Sequence, residues 1–169
     1  ATIIYTSGTT GEPKGVMLTN RNLFSALELY RDAVPIDEDS VNLVAMPLFH
    51  IGGGGLAVGG MYYGCSMVLV REVDPMRIPD LIVSEKVTHG FLVPAVFQLM
   101  LAIPGISDRD FSALQCFFYG ASPISTEVLK GSLATFKCNF MQGYGLTETT
   151  GTVVALYPED HDPDGPNAH

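Results

Sequence analysis

LQCFFYGASPISTEVLKGSLATFKCNFMQ, residues 114–142, is the stretch that decides the fold. Its opening run, Leu114–Tyr119, and its closing run, Asn139–Gln142, are short, apolar and rich in aromatic residues, and both read as strands. Between them, Pro123–Phe136 carries a helical pattern with a proline near its first position, where the missing N–H costs nothing. Two strands joined through a helix of that length pair in parallel.

The same grammar extends outward. Val41–Met46, Ser66–Val70 and Thr88–Val93 read as further strands, and Pro75–Lys86 and Pro94–Leu101 as helices that begin on proline. Asn20–Val34 places Leu23, Leu27 and Tyr30 at helical spacing behind Thr19 as a cap, with Pro35 just past its end. Five apolar strands with interleaved helices predict a three-layer α/β fold around a mostly parallel sheet covered on both faces. One domain over residues 1–157 is expected, followed by a polar, proline-rich tail, PEDHDPDGPNAH at 158–169, that is extended or disordered.

Composition narrows the function classes. A net charge of −9 and the lack of any Lys/Arg cluster argue against nucleic acid or an anionic membrane as partner. Val41–Val70 contains no Asp, Glu, Lys or Arg, yet Pro47 and its many glycines argue against a membrane span and for two buried strands around a glycine-rich connection. Cys65, Cys116 and Cys138 are odd in number, widely spaced and set in apolar runs. That suits buried free thiols in a reducing compartment, and hence a cytoplasmic protein, better than a disulfide framework. No Met or leader precedes the apolar run Thr2–Tyr5, so the chain is expected to be an internal piece of a larger protein.

In such sheets ligands gather beyond the carboxyl ends of strands, which directs attention to three segments. YTSGTTGEPKG, Tyr5–Gly15, packs Thr6, Ser7, Thr9 and Thr10 with Gly8, Gly11 and Lys14. Glycines let successive N–H groups converge on one anion, hydroxyls add donors, and the lysine supplies a cation. A plain glycine-threonine turn needs one or two special residues rather than this density. A P-loop is the competing reading, but Pro13 stands where the glycine before the lysine belongs, and Gly15 where the magnesium-binding Ser or Thr belongs. YGASP, Tyr119–Pro123, and QGYGLTET, Gln142–Thr149, are strand-following loops with small residues. In the last, Tyr144 offers a stacking face, Thr147 a donor and Glu148 a carboxylate suited to magnesium beside phosphate. Taken one at a time, a packed turn and a solvated surface glutamate are the plainer readings of these residues.

Together, in this order and spacing, the three segments resemble the AMP-binding, or adenylate-forming, superfamily of acyl-CoA synthetases, luciferases and peptide-synthetase adenylation domains. MPLFHIGGGG, Met46–Gly55, is also similar to the family's region with an active-site histidine. The resemblance covers nearly the whole chain, to about Tyr157. It implies that Thr6, Ser7, Thr9, Thr10 and Lys14, with Gly8 and Gly11, embrace the β- and γ-phosphates of ATP. Gly120, Ala121 and Ser122 would line the adenine, with Gln142, Gly143 and Gly145 shaping the segment in which Tyr144 stacks on it. Thr147 would reach the α-phosphate, Glu148 with Ser7 would hold Mg2+, and His50 would border the acyl carboxylate, although a satisfied loop histidine also explains His50. The implied reaction adenylates a carboxylic acid, releases pyrophosphate and passes the acyl group to coenzyme A. A fatty acid is the favoured substrate, with Phe91, Val93, Pro94 and Phe97 as candidate channel residues or, equally, plain core. A carrier-protein-loading or aryl-acid enzyme is the runner-up within the family, and a non-catalytic nucleotide binder the alternative outside it. The chain ends before the family's ribose-binding aspartate, its following arginine and its C-terminal lysine, so by itself it is expected to be inactive.

Overall fold

A computed structural model of the chain describes residues 2–8, 11–31, 36–162 and 165, without the side chains of residues 29 and 30. Among the described residues, eight strands and five α-helices follow in the order β1 (Thr2–Thr6), β2 (Lys14–Leu18), α1 (Asn20–Arg31), β3 (Val41–Val44), α2 (Ile51–Tyr63), β4 (Ser66–Leu69), α3 (Ile78–Ser84), β5 (His89–Leu92), α4 (Pro94–Leu101), β6 (Cys116–Gly120), α5 (Thr126–Phe136), β7 (Asn139–Leu146) and β8 (Gly151–Leu156). The main sheet has the strand order β4-β3-β5-β6-β7-β8, parallel throughout except for β8. The expected α/β architecture with a mostly parallel sheet is therefore present. β1 and β2 form a separate antiparallel hairpin.

Right-handed crossovers explain how the helices divide. The chain steps one way from β3 to β4 and the other way through β5, β6 and β7, so α2 lies on one face and α3, α4 and α5 on the other. The second face is the core: Leu43, Leu92, Phe117 and Phe140 from the strands pack on Ile82, Phe97 and Phe136 from the helices. These side chains alternate along each strand with those facing α2, as the two-residue period of a strand requires.

Local signals account for most helix boundaries. At α1, Asn22 N–H donates to Thr19 Oγ1 and Thr19 N–H donates to Asn22 Oδ1, a reciprocal cap. α1 is described to Arg31; the rest of the expected helix, residues 32–34, lies outside the described residues. α5 starts at Thr126, three residues later than expected, because Ser125 Oγ accepts from Val128 N–H and sets the cap there. α3 likewise starts at Ile78 with Pro79 in its first turn, after a turn in which Asp74 Oδ1 accepts from Met76 N–H.

Three sequence expectations need correction. The glycine-rich connection inside 41–70 is a helix, α2, and not an irregular loop. Its low propensity is overridden by packing: a side chain at Gly53 would run into the Met46 and Pro47 carbonyls, and one at Gly60 into Met67. β7 continues through Gln142–Leu146 instead of ending at Gln142, and β8, which was not anticipated, pairs with it. The tail is folded at its start: Pro158–Asp160 forms a 3-10 turn and His161 is buried. His161 Nδ1 lies 2.8 Å from the Tyr157 carbonyl and Nε2 3.0 Å from Tyr119 Oη, so the ring donates from Nδ1 and accepts from the tyrosine. Residues 163, 164 and 166–169 lie outside the described residues. Among the described residues no helix is long and apolar enough to cross a membrane.

Candidate functional site

The segment Thr6–Gly15 connects β1 to β2 of the antiparallel pair and does not leave a strand of the parallel sheet; Thr6 and Lys14 are register partners at its base. Gly8 has φ +68°, and a Cβ there would strike the Glu12 carbonyl, so only glycine closes this turn. Ser7 and Lys14 are exposed, with the lysine stem passing beside Gly8. Thr9 and Thr10 lie outside the described residues.

The other two segments form adjacent strands. Gly120 and Gly143 are register partners on β6 and β7. A Cβ on Gly120 would meet the Gly143 carbonyl and one on Gly143 the Thr152 side chain, so close strand approach already requires these glycines. Ala121 adopts φ +66° just beyond β6, a conformation that turns the chain sharply at the strand end, and Ser122 follows exposed. Tyr144 is 66% exposed beside a β-bulge and stands on the sheet face opposite Gly143 and Gly145; Gln142 is half-buried on that same face. Thr147–Thr149 forms a 3-10 turn in which Thr149 Oγ1 accepts from Leu146 N–H, with Thr147 buried and Glu148 exposed.

Two juxtapositions make a site of these parts. β2, which carries Lys14, packs against the Thr147–Thr149 turn, uniting the first and third segments although they are far apart in sequence. That turn runs directly into Thr150, Gly151 and Thr152, which line a cavity of about 170 Å³ between α2 and the sheet. His50, Ala121, Gly143 and Gly145 line the same cavity, so it collects one residue or more from each of the last three predicted segments. Its walls are mainly apolar, from Leu23 and Leu27 of α1, Leu56 of α2, Phe91, Phe118 and Met141.

His50 is the N-cap of α2: its Nδ1 accepts from Gly52 N–H at 3.1 Å. An accepting Nδ1 places the ring proton on Nε2, the nitrogen left to serve a ligand. Both readings of His50 are thus compatible, since the capping nitrogen is not the free one. Of the candidate channel residues, Phe91 lines the cavity, whereas Val93, Pro94 and Phe97 belong to the core on the opposite face. Strand alternation separates Phe91 from Leu92, and the chain after β5 turns into α4 on the core side. Sequence reading missed the walls supplied by α1 and by Thr150–Thr152, because neither helix–sheet docking nor β8 has a local signature.

Among the described residues no three His, Cys, Asp or Glu side chains converge on a metal position. Glu148, exposed on the turn that Lys14's strand packs against, offers a carboxylate that fits magnesium held by one carboxylate together with substrate phosphates and water. The cysteines are unpaired, and burial pushes the Cys116 and Cys138 thiols up to about 12, which keeps them protonated and unreactive.

Residues 1–168 match the AMP-binding enzyme family. The fatty acid–[acyl-carrier-protein] ligase ScoC of Streptomyces coeruleorubidus is 40% identical over 96% of this chain and 32% of its own length. Inhibitor-bound N-terminal domain of FACL13 from Mycobacterium tuberculosis superposes with a TM-score of 0.87 at 30% identity, over 94% of this chain and 39% of that one. O-succinylbenzoate coenzyme A synthetase (MenE) of Bacillus subtilis, in complex with ATP and magnesium ion, gives 0.83 at 30% identity, over 93% and 32%. The chain spans about a third of the length of the curated relatives it matches.

Proposed function

The chain belongs to the AMP-binding enzyme family, and on that premise we propose that the protein carrying it is an ATP-dependent acid–thiol ligase acting on a fatty acid, with coenzyme A as acceptor. The observation that carries this reading is the packing of Lys14's strand against the Thr147–Thr149 turn, which leads straight into an apolar cavity bordered by His50.

A carboxylate is a poor acyl donor, and attack of its oxygen on the α-phosphorus of ATP converts it into a mixed anhydride while pyrophosphate leaves. Charge accumulates on the transferring phosphoryl group and on the departing pyrophosphate. Lys14, Ser7 and Thr6, with the N–H groups of the hairpin turn and with Thr9 and Thr10, grip the leaving phosphates, while Thr147 donates to the α-phosphate. Tyr144 stacks on the adenine alongside the backbone of Gly120, Ala121 and Ser122. Magnesium, held by Glu148 with Ser7, neutralises phosphate charge when bound. His50 presents its Nε2–H where the acid's carboxylate meets ATP. The apolar lining beneath α2 takes the acyl chain: a 13-residue helix is about 20 Å long, which suits an elongated acid over a compact one. Three widely spaced cysteines, unpaired in the structure, support a cytoplasmic setting.

Pyrophosphate release by the whole protein across acids of increasing length tests the reading, with a coenzyme A thioester as the expected final product. No release with any acid would refute it, and an acyl-carrier thioester formed in preference would move it to the carrier-loading alternative. The chain tested alone, about a third of the length of its curated relatives, is expected to catalyse no acid-dependent exchange of pyrophosphate into ATP.

A further inference from the structure

The buried pair formed by Tyr119 and His161 takes part in no step of the proposed reaction. Tyr119 is the penultimate residue of β6, immediately before the Gly120–Ser122 turn, and is 1% exposed. Its side chain lies on the core face of the sheet, with its ring centroid 6.3 Å from that of Phe140. Gln142 of β7 and Leu156 of β8 stand beside it in one row across the sheet. Beyond β8 the chain folds back: the 158–160 turn packs on β7, and the His161 ring meets Tyr119 edge to face at 5.6 Å. The 3.0 Å bond between Tyr119 Oη and His161 Nε2 therefore ties the segment after β8 to the end of β6, across β7, and joins positions 42 residues apart.

The surroundings fix where the protons of this pair lie. Burial holds the His161 imidazole below its ordinary value and pushes the Tyr119 phenol up to about 12, so both side chains are neutral at neutral pH. The single ring proton sits on Nδ1 and is donated to the Tyr157 carbonyl, while the phenol donates to Nε2. A phenylalanine at 119 would fill the same space with no hydroxyl to satisfy, so the pair adds direction more than burial. That direction acts two residues on, where Ala121 holds φ +66°. A residue other than glycine keeps such a conformation only where its surroundings over-determine it. On one side Gly120 lies close against the Gly143 carbonyl; on the other, Tyr119 is tied to His161. Strand alternation places Tyr144, two residues beyond Gln142, on the same sheet face as Tyr119.

We infer that His161 is a positioning residue for the nucleotide: through Tyr119 it fixes the Gly120–Ser122 turn against which the adenine binds. This rests on that turn being the adenine wall of the ligase proposed above. His161 takes no part in lining the cavity beneath α2, so nucleotide and acid should respond differently to its loss.

The test measures pyrophosphate release by the whole protein with ATP and acid varied in turn. His161→Leu and Tyr119→Phe are each expected to raise KM for ATP about tenfold, the ratio carried by one buried hydrogen bond, with kcat and KM for the acid within about twofold. His161→Gln is expected to restore most of the loss, because its amide oxygen can accept from the phenol and its N–H can donate to the Tyr157 carbonyl. The double variant should be no worse than the poorer single one, since one bond links the two positions. Tyr119→Phe keeps the ring and decides the matter should His161→Leu fail to fold. An unchanged KM for ATP in Tyr119→Phe would overturn the inference. Equal losses for ATP and acid would also overturn it and make the pair a prop for the fold alone. No pyrophosphate release by the unaltered protein with any acid would instead refute the ligase reading itself, and the inference with it.

Discussion

On the sheet face covered by α3, α4 and α5, Phe97, Phe117, Phe136 and Phe140 are at most 1% exposed and meet in tilted and edge-to-face pairs with centroids 5.2 to 6.1 Å apart. On the face covered by α2, the strands present Asn42, His89, Phe91 and Phe118, the helix is rich in glycine, and a cavity remains. One sheet therefore has a face whose shape is filled by its own side chains and a face whose shape is left for something else. The strands cannot tell the two apart by hydrophobicity, since both faces are covered; what distinguishes them is side-chain volume and the presence of buried polar groups.

The largest effect should come from damaging the filled face. Phe117→Ala removes a ring at the centre of the aromatic cluster and should cost about 3–5 kcal/mol, read as a lower urea midpoint of the whole protein. A loss under about 1 kcal/mol would mean that the core is not packed as described.

Acid should attack the other face. Burial holds the His89 imidazole down at about 4 from its ordinary 6.5, against an upward pull from Asp37. A lowered basic group is neutral in the folded chain and protonated in the unfolded one, so its contribution is present above pH 6.5 and is lost as pH falls toward 4. Up to about 3 kcal/mol should disappear across that window, and His89→Gln should flatten the slope in a pH series of urea midpoints.

Catalysis should respond where stability does not. Lys14 is exposed on the hairpin, so Lys14→Ala should leave the urea midpoint within about 0.5 kcal/mol while slowing pyrophosphate release about 100-fold. Equal activity would remove the hairpin from the site.

The smallest effect should be favourable to folding. Gly55 lines the cavity, and an added Cβ would make ordinary contact with Ile51, so Gly55→Ala should gain about 0.5–1 kcal/mol through helix propensity. The same methyl narrows the cavity, and relative turnover of the bulkiest acids should fall.

These contrasts also explain what could be read from sequence. The strands β3 to β6, the helix α4 and the Thr19 cap were legible because each is set by local chemistry: apolar β-rich runs, a fixed proline φ at Pro94 and a reciprocal side-chain bond; α3 and α5 begin three residues past the prolines expected to lead them. α2 was not, since its glycines are chosen for close tertiary packing that contradicts their propensity. β8 was hidden because Gly151–Leu156 pairs only with a strand that itself continues through Gly-Tyr-Gly. At the site, Gly8 and Lys14 could be singled out by composition, and the meeting of Lys14's strand with the Thr147 turn could be expected only through the family resemblance. The Tyr119–His161 bond was illegible, because its partners lie 42 residues apart and His161 stands in a stretch whose composition reads as a polar tail.

The central claim, that Lys14's hairpin and the Thr147–Thr149 turn act together on ATP for an acid bound beneath α2, is tested most directly by identifying the nucleotide product in the whole protein. The account predicts acid-dependent conversion of ATP to AMP and pyrophosphate, reduced about 100-fold in Lys14→Ala. Formation of ADP and phosphate, or AMP formation indifferent to added acid, would contradict it.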